Sequence, residues 1–169
     1  MNNFEKTDVT ALSGDFFNRL GKQWMLVSAG NEKSFNTMTA SWGGIGVLWN
    51  KNVSFVFIRD SRYTLGFVDN NDYYSLSFFN GSMMKELAFC GRNSGRDVDK
   101  MKETGLIPVF DGKAPTFEQA ELVLVCKKLY RQSMTADCFI DKDIIERCYA
   151  DNDWHEIFVG EIVDVLVRK

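Results

Sequence analysis

Residues 35–58 read Phe35-Asn36-Thr37-Met38-Thr39-Ala40-Ser41-Trp42-Gly43-Gly44-Ile45-Gly46-Val47-Leu48-Trp49-Asn50-Lys51-Asn52-Val53-Ser54-Phe55-Val56-Phe57-Ile58. The second half, 53–58, is a strongly β-forming run of β-branched and aromatic residues. Asn50-Lys51-Asn52 supplies hairpin-turn chemistry just before it. The first half, 35–47, is rich in Thr, Ser, Trp and Gly, a composition suited to a strand that passes close to a ligand. Two adjacent extended segments joined by a tight turn make an antiparallel hairpin, and the rest of the chain is read against it.

Working outward, residues 23–29, 73–79, 122–129 and 156–167 are apolar, strand-like runs. Helical spacing is expected over 11–20, with Ser13 or Asp15 as cap and Gly21 as stop, and over 63–70. Two more short helices are expected at 83–90, ending at Gly91, and at 97–104, ending at Gly105. Residues 136–150 read as a helical or irregular insertion. Strands joined by short helices, without regular βαβ units, predict a mainly β antiparallel barrel or sandwich with helical decoration. No GxGxxG follows any strand, which argues against a doubly wound nucleotide fold. The 169 residues contain only two prolines and no repeat or linker, so 1–169 reads as one domain.

Hydrophobic residues make up 45% and charged residues 25% of the chain, as in ordinary folded proteins. The net charge of −3 offers no basic surplus for nucleic acid. No polybasic run suggests a membrane surface, and no apolar stretch approaches the roughly 20 residues that span one. The polar start, 1–10, is no signal peptide. A cytoplasmic location and free thiols at Cys90, Cys126, Cys138 and Cys148 are therefore expected, and their spacing with one histidine matches no metal site.

Three donor-rich segments interrupt the apolar runs. Asn36 to Gly44 offers hydroxyls and glycines to something flat, although an edge strand with a glycine bulge would have the same composition. Arg59-Asp60-Ser61-Arg62-Tyr63-Thr64 places guanidinium forks and hydroxyls at the mouth of a helix, where an anion is favoured; a solvated loop is the alternative. Cys90 to Lys100 is a glycine-containing loop with Ser94, Arg96 and Lys100 as donors, equally readable as a capped helix start. The lone His155 enters the last strand and is either structural or a proton-relaying, orienting group. No GxSxG turn or Cys–His signature points to nucleophilic catalysis.

Taken together and in order, Asn36-Thr37-Met38-Thr39-Ala40-Ser41-Trp42, Arg59-Asp60-Ser61-Arg62-Tyr63-Thr64, Ser94-Gly95-Arg96-Asp97 with Asp99-Lys100, and the segment from His155 to Ile162 with Gly160-Glu161-Ile162 resemble the flavoredoxin branch of the flavin-reductase-like family. The resemblance spans about residues 16–167. It implies a six-stranded antiparallel Greek-key split barrel with short peripheral helices, dimeric, with FMN at the subunit interface. It further implies Asn36, Thr37, Met38, Thr39, Ala40, Ser41 and Trp42 along the flavin ring, and Arg59, Ser61, Arg62, Tyr63, Thr64, Ser94, Gly95, Arg96 and Lys100 toward its ribityl phosphate. His155 would be the catalytic group near the ring face. The implied activity is an oxidoreductase passing hydride or electrons from NAD(P)H or a protein donor through the flavin, with no metal; a flavin carrier without NAD(P)H activity shares every one of these residues. Relatives usually carry Pro where this chain has Asp60, and a carboxylate facing inward there would weaken a phosphate site.

Overall fold

The structure is a computed structural model and describes residues 3–169. Among the described residues ten strands and five α-helices follow one another: β1 Phe4–Thr7, α1 Phe16–Gly21, β2 Met25–Asn31, β3 Ser34–Ala40, β4 Gly43–Leu48, β5 Lys51–Arg59, α2 Tyr63–Asn70, β6 Tyr73–Phe78, α3 Met84–Arg92, α4 Lys100–Thr104, β7 Pro108–Val109, β8 Thr116–Phe117, β9 Leu122–Ser133, α5 Asp143–Cys148 and β10 His155–Arg168. Eight strands share one antiparallel sheet in the order β3-β2-β6-β9-β10-β5-β4, with β1 added to β10. The edge strands β3 and β4 are consecutive in the chain and joined only by Ser41 and Trp42, so the sheet curls until its edges meet at that corner. Counting β3 and β4 as one bent strand, six long strands build the barrel, and β1 is an N-terminal addition.

The corner corrects the reading of 35–47 as one strand. Gly43 has φ +152°, and a Cβ on it would lie 2.7 Å from the Phe55 carbonyl oxygen, so the backbones approach too closely for any side chain. The hairpin turn lies one residue earlier than expected. Trp49 and Asn50 carry φ of 53° and 56°, the paired left-handed conformation that matches strand twist in two-residue turns. In place of one helix over 11–20, a 3₁₀ turn at Val9–Ala11 precedes a helix that starts only at Phe16, where the Asp15 side chain caps it. The helix expected over 97–104 begins at Lys100, because the Asp99 carboxylate accepts from the amides of Met101 and Lys102.

Long strands alternate their side chains between two apolar clusters. Met25 and Val27 of β2, Leu76 of β6, and Leu124 and Cys126 of β9 fill the barrel interior. Leu26, Val123 and Val125 face outward into a second cluster closed by Leu87 and Cys90 of α3 and by Leu106 and Phe117. Each such side chain contributes roughly 1.5–3 kcal/mol on burial. Inside the barrel the Tyr74 hydroxyl meets Ser54 Oγ at 2.8 Å, and Ser54 Oγ donates to Cys126 Sγ at 3.2 Å. Gly160 admits that ring: a Cβ there would overlap Tyr74 Oη and lie 2.8 Å from its Cζ. The same residue marks a register shift in the pairing of β10 with β9. Among the described residues no helix is long and apolar enough to cross a membrane.

Candidate functional site

Two adjoining cavities open where β3, the end of β5, the start of α2 and the α3–α4 loop converge. They share Met38, Arg59 and Arg62. The first, about 260 Å³, is polar. Asn36 reaches it from β3, and Arg59, Ser61, Tyr63 and Thr64 reach it from the β5–α2 junction. Arg92, Asn93, Ser94, Gly95 and Lys100 close the other side, with Asp151 and Asp153 from the loop before β10. Its lining holds four basic residues against two acidic ones, a surplus that favours an anion. The second cavity, about 190 Å³, is more aromatic, lined by Thr39, Ala40, Ser41, Trp42, Phe57 and His155.

Local geometry explains how these side chains are held. Asn36 Nδ2 donates to Thr64 Oγ1 at 2.8 Å, tying β3 to the first turn of α2. Buried Lys100 donates to the carbonyls of Thr37 at 2.7 Å and Cys90 at 2.8 Å, clamping α4 to β3 and α3. Burial, and then the charge of Arg62, lower its pKa from the usual lysine range. Thr39 Oγ1 donates to the Leu87 carbonyl at 2.5 Å. Arg62 Nη1 donates to the Gly91 carbonyl at 2.5 Å, which leaves the other guanidinium donors for the cavity. Arg59 is more fully committed, with Nη1 on the Asp153 carbonyl at 2.6 Å and Nη2 on the Cys148 carbonyl at 2.8 Å. Its guanidinium also lies 5.3 Å over the Tyr149 ring.

His155 is buried against Trp42, with ring centroids 5.3 Å apart, and its Nδ1 lies 2.8 Å from the Tyr149 hydroxyl. Burial foremost, then the positive charge of Arg59, push its pKa down to about 4, so the ring is neutral near pH 7. The phenol is the stronger donor of the pair, so we assign Nδ1 as acceptor and place the proton on Nε2. His155 therefore brings a neutral hydrogen-bonding ring, rather than a cation, to the second cavity.

Most of the residues singled out in the sequence meet at these two cavities, but two do not line either one. The Thr37 hydroxyl accepts from Ser28 Oγ at 2.8 Å in the buried β2–β3 ladder, on the strand face opposite Asn36 and Met38. Arg96 stacks 4.6 Å over the Tyr63 ring and lines a neighbouring, larger cavity of about 690 Å³. Asp60 also lines that neighbouring cavity rather than the polar one, so its carboxylate does not intrude on the donors. Sequence reasoning missed Arg92, Asn93, Phe57, Tyr149, Asp151 and Asp153. Only the first two had a local signal, being polar residues within the expected donor loop. Among the described residues no cluster of His, Cys, Asp and Glu could hold a metal.

A curled antiparallel sheet with a donor-lined cavity at its corner defines a split-barrel binding domain. The chain belongs to the flavin reductase like domain family, whose model matches residues 17–169. Among solved structures it is similar to a flavoredoxin from Methanosarcina acetivorans, at 26% identity and TM-score 0.65 over 87% of this chain and 69% of that one. It also shares its fold with an FMN-binding domain of a flavin reductases-like enzyme from Shewanella baltica, at 15% identity and TM-score 0.69 over 98% and 78% of the two chains. A third fold relative is the NADH:FAD oxidoreductase of Streptomyces globisporus, at 16% identity and TM-score 0.64 over 87% and 74%. No curated protein sequence matches the chain.

Proposed function

We propose that the chain binds FMN across the two cavities and works, as one domain and as a cytoplasmic homodimer, as an oxidoreductase that accepts hydride from NAD(P)H or electrons from a protein donor. The observation that carries this is the junction of a cationic, donor-lined cavity with an aromatic-lined one through Met38, Arg59 and Arg62. A phosphorylated tricyclic ligand has that division of chemistry: an anionic end and a planar end. The residues present fit it. Ser61, Arg62, Arg92, Asn93, Ser94 and Lys100 would hold the phosphate, with Asn36 and Thr64 at the polar chain. Thr39, Ala40, Ser41 and Trp42 would lie along the ring, with His155 offering a neutral donor. FMN supplies the hydride and electron chemistry when bound; the protein supplies position and electrostatics.

The flavoredoxin and the FMN-binding relative support flavin as the ligand, and the NADH:FAD oxidoreductase supports a nicotinamide donor. Support for a dimer comes from exposed apolar side chains along the β3–β4 edge: Trp42 of the second cavity is 47% exposed, and Val47 and Trp49 toward the hairpin end of β4 are 73% and 54% exposed. The test is a visible spectrum of purified protein titrated with FMN, followed by NADH and NADPH without oxygen. Saturable binding with rapid bleaching is expected. A protein that ignores FMN refutes the reading, and a bound flavin that stays oxidised replaces the enzyme by a carrier. Sedimentation of the same sample checks the dimer.

A further inference from the structure

The polar cavity already contains an anion. The Asp153 carboxylate takes the Ser61 amide at 2.9 Å on Oδ1 and the Ser61 hydroxyl at 2.6 Å on Oδ2, and Oδ2 lies 3.8 Å from Arg59 Nη1. One amide, one hydroxyl and a nearby guanidinium, just before the first turn of α2, form the kind of donor set that recognises phosphate oxygens. The Arg62 side chain makes no capping bond at this helix start. The carboxylate therefore sits where a phosphate would find its donors.

The loop that carries Asp153 is anchored independently of that carboxylate. Arg59 grips the backbone carbonyls of Cys148 and Asp153, Asp60 N donates to the Trp154 carbonyl at 2.9 Å, and Trp154 stacks on Tyr149 at 4.8 Å. The Asp153 side chain can leave its seat by rotation while the loop stays in place.

Resting on the FMN reading above, we propose that Asp153 is a built-in occupant of the phosphate seat and a specificity-determining residue. FMN engages Ser61 only by displacing it, so the phosphate adds less to binding than the donors would otherwise allow. Asp153 thereby narrows the preference for FMN over riboflavin and makes the flavin exchangeable. Riboflavin, with no phosphate, has no quarrel with the carboxylate.

The test compares full-length wild type with Asp153→Asn by fluorescence titration of FMN and of riboflavin, with inorganic phosphate as competitor. Expected are an FMN Kd at least tenfold lower in the variant, a riboflavin Kd within about twofold, and phosphate competing more strongly against FMN in the variant. If Asp153 is only a structural anchor, both flavins weaken together and the proposal is overturned. If wild type binds FMN and the variant binds it no more tightly, the proposal alone falls; if neither protein binds either flavin, the FMN reading falls and takes the proposal with it. Should the variant not fold, the side-chain carboxyl resonance of Asp153, followed by NMR in wild type, decides. A shift produced by FMN and not by riboflavin supports displacement of the carboxylate from Ser61, and an equal response to both flavins, or none to either, overturns it.

Discussion

Acidification should cost this protein stability through its single histidine. His155 is 6% exposed, and its folded pKa of about 4 stands below the ordinary value of 6.5. Between those values the unfolded chain binds a proton that the folded chain refuses, so stability is fully present above about pH 6.5 and is lost as pH falls toward 4. For a group with these two pKa values, lowering the pH from about 7.5 to about 5 removes about 2 kcal/mol. With a urea slope of about 2 kcal/mol per M, the midpoint moves down by about 1 M. Carboxylates titrate nearby, so the measurement is a difference against His155→Gln. The amide oxygen of that variant can still accept from the Tyr149 hydroxyl, and the variant gains no charge in acid. Urea melts at both pH values should show wild type losing about 2 kcal/mol more than the variant. Because the chain has one histidine, its ring resonance can also be titrated directly by NMR. An inflection near 6.5, or equal pH dependence in both proteins, would refute the account of His155 as a buried neutral ring.

Gly160→Ala should destabilise by about 1–3 kcal/mol or more, since its methyl would overlap the buried Tyr74 hydroxyl; thermal melts check it, with Gly21→Ala, where nothing lies within 4 Å, as a near-neutral control. Gly95→Ala should push Asn36 off Thr64, because the new Cβ would overlap Asn36 Oδ1, and should weaken FMN by about tenfold with less than about 1 kcal/mol lost in stability, read by titration and urea melts. Lys100→Met should strand the Thr37 and Cys90 carbonyls at a cost of about 1–3 kcal/mol, measured by denaturation, and should weaken FMN more than riboflavin.

Where local chemistry decides structure, the sequence was legible. Helix α2 occupies Tyr63–Asn70, the expected 63–70, because a polar, donor-rich loop ends there and Leu65, Phe67 and Val68 begin a helical pattern. The long β10 was visible as a β-branched run. Strand β1 was not: Phe4-Glu5-Lys6-Thr7 has one buried residue and forms only because the C-terminal half of β10 offers an open edge. The placement of Thr37 shows the same limit at the site. Thr37 and Thr39 stand on the same face of β3, yet only Thr39 lines a cavity, because the Thr37 hydroxyl is engaged by Ser28 Oγ and the Val27 carbonyl of the neighbouring strand. Asp153 was invisible because its partner Ser61 lies 92 residues away, and the carbonyls that Arg59 bonds to lie 89 and 94 residues away. No local pattern announces such a contact.

Those remote bonds also determine what Arg59 can do. An arginine beside an anion-favouring cavity reads first as a bidentate fork, but here one N–H of each terminal nitrogen is committed to a carbonyl of the 148–153 loop. Those two bonds fix its charge at one position between the cavities. That charge helps keep His155 neutral, so a negative charge developing in the second cavity would be met by Arg59 and Arg62 rather than by an imidazolium. Stabilisation by fixed charges needs no reorganisation at the moment charge develops. It also varies little with pH, because an arginine does not titrate in the range where a histidine would. The electrostatics of the second cavity should therefore stay constant across the interval in which an exposed histidine would switch, and acid should weaken the barrel's stability before it alters that field.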